Sequence, residues 1–130
     1  MNPGRGTRLA LLVACAVVVP LVSAPASEAA TRRATDWEAG IRFTLDGRVL
    51  TARVLPRAPR GVRRALYGKR IRAVCGTSFA FSEGVKVRRT RVWPRGRARL
   101  RYGFRRNISR RAKWCLLEHP RGGDVAFVSF

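Results

Sequence analysis

The sequence predicts an all-β protein: a small antiparallel β-sandwich of about seven short strands, with one short helix between the second and third strands and one disulfide. Three observations predict it. From Trp37 onward apolar and polar residues alternate with a period of two, the period of a strand that buries one face. Gly, Pro and Asp clusters interrupt the alternation at short intervals, as hairpin turns do. Cys75 and Cys115 fall inside this patterned region and make an even pair.

What precedes the patterned region reads as an export signal. Arg5 and Arg8, with no acid, lead into an apolar run from Leu9 to Val22 and then the small-residue stretch Ser23-Ala24-Pro25-Ala26-Ser27-Glu28-Ala29. That order of charged, apolar and small segments is the order of a secretory signal peptide. The run is broken by Pro20 and falls short of the roughly 20 apolar residues a membrane span requires. The chain therefore divides into a signal peptide over residues 1–26 (cleavage alternatively after Ala29), a flexible tether over residues 27–36, and a single β domain over residues 37–130. Removing 26 of 130 residues leaves 104, with no transmembrane segment after processing. The expected location is secreted or cell-envelope associated. Leu12-Val13-Ala14-Cys15 matches a lipobox, but most of the apolar run follows the cysteine, which is the wrong order for lipidation. In an oxidising compartment Cys75 and Cys115 form one disulfide, and closing that loop stabilises the fold by about 4 kcal/mol on the chain-entropy model.

Within the domain, Gly40 to Val54 is the clearest element. Asp46-Gly47 between IRFTL and RVLTARV favours a type I′ hairpin. A two-residue turn there pairs Leu45 with Arg48, Phe43 with Leu50 and Ile41 with Ala52 on an apolar face. It pairs Thr44 with Val49 and Arg42 with Thr51 on a more polar one. Pro56 and Pro59 end the second strand, and Val62, Ala65 and Leu66 then recur at helical spacing before Gly68. Strand character returns over Arg70 to Cys75, where Ile71, Ala73 and Cys75 share a face. It continues over Val85 to Trp93 and over Ala98 to Phe104. Trp93-Pro94-Arg95-Gly96 suits a type I turn joining these last two as a hairpin. Lys113 to Glu118 and Asp124 to Ser129 make a final pair through Pro120-Arg121-Gly122-Gly123. Cys75, Trp93 and Cys115, with Ala112-Lys113-Trp114-Cys115, carry a resemblance to immunoglobulin-like domains. The cysteines stand closer than in that family, Trp93 comes late, and no tyrosine lies two residues before Cys115.

Charge restricts the partners. Taking Arg5 and Arg8 away from 28 basic and 7 acidic residues leaves the processed chain at +19, too much to neutralise internally. The sharpest pattern is Arg95-x-Arg97-x-Arg99-x-Arg101, followed by Arg105 and Arg106, with Arg88, Arg89 and Arg91 across the Trp93-Pro94 turn. On a strand the alternate arginines project from one face while Ala98, Leu100 and Tyr102 enter the core. Such a ladder of guanidinium forks suits bidentate contact with phosphate or carboxylate groups. The plain counter-reading is a solvated outer face, since 25 of the 28 basic residues are arginine wherever they occur.

Nothing in the sequence points to catalysis. His119 is the single histidine, and its neighbour Glu118 faces the other way on a strand. No P-loop or dinucleotide fingerprint, helix-turn-helix, aromatic RNP motif or zinc-finger spacing is present. Reduced, Cys75, Cys115 and His119 would supply three zinc ligands without a fourth. Trp93, Tyr102 and Phe104 could stack on bases, but the period of two places Tyr102 and Phe104 inside. Asn107-Ile108-Ser109 is a glycosylation sequon, informative only on a eukaryotic route. The expectation is an exported, highly basic, non-catalytic domain with no cofactor and no metal. It binds a polyanionic surface or polymer (envelope phosphates, acidic glycans, anionic lipid or extracellular nucleic acid) through an arginine-rich hairpin. The alternative is a secreted structural or inhibitory domain that recognises another exported protein, its charge incidental.

Overall fold

The computed structural model describes residue 16, residues 31–79 and residues 84–130. The expected signal peptide, Cys15 included and Ala16 excepted, and residues 27–30 of the expected tether lie outside the described residues. In chain order the elements are β1 (Arg32–Asp36), β2 (Ile41–Asp46), β3 (Val49–Val54), α1 (Arg60–Leu66), β4 (Arg70–Gly76), β5 (Gly84–Lys86), β6 (Arg91–Val92), β7 (Arg99–Gly103), β8 (Trp114–Glu118) and β9 (Asp124–Ser129). They form two antiparallel sheets, one ordered β1-β2-β3-β7 and the other β5-β4-β8-β9, with β6 also paired to β4. The all-β sandwich is thus present, with its helix between the two strands where the sequence puts it. The inward faces of both sheets meet in one core: Ile41, Phe43, Leu45, Leu50, Ala52 and Tyr102 from the first, Ile71, Ala73, Cys75, Cys115, Leu117 and Val128 from the second. Leu66 of α1, Trp93, Phe104 and Ile108 close its margins.

Nine strands appear among the described residues rather than about seven. One addition is β1, which occupies residues 32–36 where a flexible tether is expected. It pairs along the free edge of β2, from Arg32 opposite Leu45 to Asp36 opposite Ile41. Polar contacts made far along the chain hold it. Arg32 donates to the carbonyls of Ser109 (3.3 Å) and Ala112 (2.8 Å) and lies 5.2 Å from the Phe130 ring centroid. The Asp36 carboxylate accepts the Ala39 N–H on one oxygen and the Phe127 N–H on the other, both at 2.9 Å. The second carboxylate contact ties the first sheet to β9 of the second.

The β2–β3 hairpin forms with a shifted register. Its turn residues are Gly47 and Arg48, so Leu45 opposes Leu50, Phe43 opposes Ala52 and Ile41 opposes Val54. Gly47 sits at φ +58 and Arg48 does not have a positive φ. That fits a turn with glycine first, of type II′, rather than the type I′ turn expected for Asp46-Gly47. Moving the turn by one residue moves each pairing partner by two, so every side chain keeps its face.

Cys75 and Cys115 form a disulfide, Cα to Cα 4.1 Å, between directly opposed positions of neighbouring strands β4 and β8. An immunoglobulin domain places its disulfide between sheets. Here the bridge lies within one sheet, so the resemblance does not extend to the staple.

The hairpin expected from Lys86 to Arg106 does not form. Val85 to Trp93 splits into β5 and β6, both paired with β4, while β7 pairs with β3 in the other sheet. The intervening turn is Pro94 to Arg97, closed by Arg97 N–H to Pro94 O at 3.4 Å, with Gly96 third at φ +76. This one-residue shift makes the turn type II rather than type I. It carries the chain from one sheet to the other.

Candidate functional site

The position of β7 governs the site. As the last strand of its sheet it has β3 on one side, and residues 88–97 run past the other. Two grooves follow this edge. The first, about 740 Å³, is lined by Arg48, Arg88, Arg89, Arg91, Gly103, Phe104 and Arg105. The second, about 610 Å³, is lined by Arg53, Arg91, Pro94, Arg97, Ala98, Arg99, Leu100 and Arg101. Arg91 belongs to both walls. Among the described residues no carboxylate lines either groove.

Seven of the nine arginines singled out from the sequence therefore converge at this edge, although not on a hairpin. Arg95, carried over the Pro94–Arg97 turn, instead lines a third groove with Arg60, Arg63, Arg64 and Lys69 beside α1. Arg106 lines none of these grooves. Along β7 the expected alternation holds: Arg99, Arg101 and Gly103 are exposed, Leu100 is half-buried and Tyr102 is buried. Ala98, expected inside, is exposed, because it precedes the strand at the turn.

The structure adds two arginines that sequence reasoning missed, Arg48 and Arg53. Arg53 stands directly opposite Arg99 on β7 and opposite Arg42 on β2. Its outward parity is readable from the RVLTARV alternation, but its neighbour on β7 is not. Three guanidinium side chains thus follow one another across adjacent strands, with Thr51 opposite Arg101 in the next row. Like charges directly opposed across strands are destabilising, and an anion seated between them relieves the repulsion.

The arginines fall into two groups by their bonds. Arg32 and Arg63 are tied to backbone carbonyls, the latter to Leu55, Pro56 and Ala58 at 2.8–3.2 Å, and Arg72 pairs with Glu118. The side chains of the groove arginines Arg48, Arg53, Arg88, Arg89, Arg91, Arg97, Arg99, Arg101 and Arg105 make no hydrogen bond or ion pair to another described residue. Each keeps five donors for a ligand or solvent.

Beneath the grooves lies a rigid aromatic floor. Trp93 and Tyr102 are both buried, and the indole N–H donates to the Tyr102 hydroxyl at 3.0 Å. Burial pushes the Tyr102 pKa far above its ordinary value, against smaller opposing effects of the Trp93 hydrogen bond and the Arg91 charge. With Phe104 also buried, these rings belong to the core and present no stacking face. Elsewhere, His119 is half-buried in the β8–β9 turn, its N–H bonded to Gly123 O, while Glu118 is held by Arg72. Among the described residues no three of His, Cys, Asp and Glu gather as a metal site, and no helix is long and apolar enough to cross a membrane.

Fold and edge together describe a small disulfide-braced β-sandwich with an arginine-lined sheet edge. Compared with protein-family models, with curated proteins and with solved structures, the chain finds no match in any of the three.

Proposed function

We propose that this chain is an exported, non-catalytic domain that binds polyanions electrostatically through the arginine-lined edge of its first sheet. The observation that carries the reading is the contrast between bonded and unbonded arginines. Nine of them line two adjoining grooves, their side chains without a partner and without a carboxylate among the described residues. Coding bias can fill a surface with arginine, but it does not explain why the described carboxylates stay out of both grooves. A guanidinium fork grips phosphate, sulfate or carboxylate through two parallel hydrogen bonds, and a groove strengthens each contact by excluding part of the solvent. Export would bring this surface to wall phosphates, acidic glycans and free nucleic acid.

Retention on immobilised heparin and on a phosphate resin, developed with a salt gradient, tests the proposal. The wild-type chain should elute well above physiological salt. Replacing Arg97, Arg99 and Arg101 by Gln should move elution to clearly lower salt and reduce the slope of log affinity against log salt by about one per lost contact. Unchanged elution of that triple variant would remove the site.

A further inference from the structure

Resting on that reading, we infer that the grooves form one continuous track whose ligand is a linear, base-free phosphate polymer. The two grooves along β7 share the Arg91 side chain, and the Pro94–Arg97 turn links the second to the third through Arg97 on one side and Arg95 on the other. From Val49 to Val54, β3 alone runs about 17 Å at roughly 3.4 Å per residue, and the groove beside α1 extends the path. A single small anion fills a fraction of this. Successive outward arginines on β7 stand about 6.8 Å apart, two residues of strand, which suits separate anionic groups repeated along a chain.

The lining also selects among polymers. Guanidinium groups donate and do not accept, and among the described residues no carboxylate lines these grooves to receive a hydrogen bond from sugar hydroxyls or base amino groups. A ligand whose every polar atom accepts is the complement of that lining. Single-strand binders gain affinity by stacking bases on aromatic side chains. Among the described residues the one aromatic lining the two grooves along β7 is Phe104, itself 5% exposed, so bases gain no platform there, and Tyr67 of the third groove is half-buried. The edge is therefore better matched to a polyphosphate or base-free polyphosphodiester than to single-stranded nucleic acid or a glycan.

Calorimetric titration of the secreted chain at physiological ionic strength, using four probes, decides it. The probes are inorganic tripolyphosphate, inorganic polyphosphate several tens of residues long, an oligothymidylate of equal charge, and heparin. Polyphosphate should bind on the order of 10²-fold more tightly than tripolyphosphate at equal phosphate concentration, because later contacts become intramolecular. It should bind about tenfold more tightly than the oligothymidylate or heparin, the loss expected from about 1.4 kcal/mol. Arg91→Gln and, separately, the pair Arg95→Gln with Lys69→Gln should each cut the long-chain advantage severalfold. A long chain that binds no better per phosphate than tripolyphosphate would overturn the track. Oligothymidylate or heparin binding as tightly as polyphosphate would overturn the assigned ligand class while leaving polyanion binding in place. Failure of all four probes to bind would overturn the parent reading itself.

Discussion

Tyr102 shows what one residue must settle before the edge can work. Its backbone sits on β7 between two exposed arginines, while its ring fills the core and its hydroxyl accepts the buried Trp93 N–H. Tyr102→Phe leaves that indole donor without a partner, at a cost of about 1–3 kcal/mol, measurable by urea unfolding at neutral pH. The raised pKa adds a pH dependence of definite sign. Below the unfolded value of 10.0 both states hold the proton and the contribution is complete. Above it the unfolded chain releases the proton first, so stability falls with rising pH until the folded state also ionises. Wild-type stability should therefore decline above pH 10.0 more steeply than that of Tyr102→Phe. Equal slopes would mean that the hydroxyl is not sheltered. Period-two patterning places Tyr102 inside from sequence alone. The bond to Trp93 is not legible there, because Trp93 follows a strand of the opposite sheet and only tertiary packing joins them.

At the scale of elements, the second sheet is shaped by what its glycines leave room for. Gly76 on β4 and Gly84 on β5 are paired, and Trp114 of β8 packs over both, its N–H donating to Ser78 O at 2.6 Å. A Cβ at Gly76 would collide with the indole, whereas one at Gly103 of β7 would meet nothing within 4 Å. Gly76→Ala should cost about 1–3 kcal/mol through overpacking. Gly103→Ala should stay within about 0.5 kcal/mol of wild type, as exposed substitutions do. Comparable melting temperatures for the two variants would refute this packing. Which strands exist was largely readable, because an alternating segment with one apolar face must bury it: β2, β3 and β9 follow this pattern, while β4 and β8 are buried on both faces over most of their length. Which strands pair was much less readable. Trp93-Pro94-Arg95-Gly96 carries the residues of a hairpin turn, yet the chain crosses there between sheets, and local turn chemistry contains no term for that. Strand β1 has no apolar alternation and exists through Arg32 and Asp36, whose partners lie 77 to 91 residues away. The candidate edge was legible as a list of arginines but not as a place. Arg48 and Arg53 join it only once β7 is known to lie beside β3.

The whole molecule folds against its own charge, and the resulting instability is itself measurable. A chain at +21 repels itself more in the compact state than when unfolded, so part of the stabilisation from the core and disulfide is spent opposing that field. Of the five described acids Glu118 is engaged by Arg72 and Asp36 by backbone N–H groups, and none of the five lines the two grooves at the candidate edge. Added salt screens the repulsion over a Debye length that shrinks from about 30 Å at 0.01 M to about 10 Å at 0.1 M. The melting temperature should therefore rise by several degrees over that range, against the flat response of a protein with balanced charge. The variant with Gln at positions 97, 99 and 101 should melt higher than wild type at low salt and respond less to added salt, because it loses three neighbouring charges at one edge. Polyphosphate should then reverse the order. A ligand at 100 times its Kd adds about 2.7 kcal/mol to the state that binds it, which favours wild type over the variant. Such a crossing of the two stabilities between salt-poor buffer and polyanion is the signature of charges kept at a cost to the free fold. A variant that melts below wild type in salt-poor buffer would show instead that these arginines stabilise the domain directly.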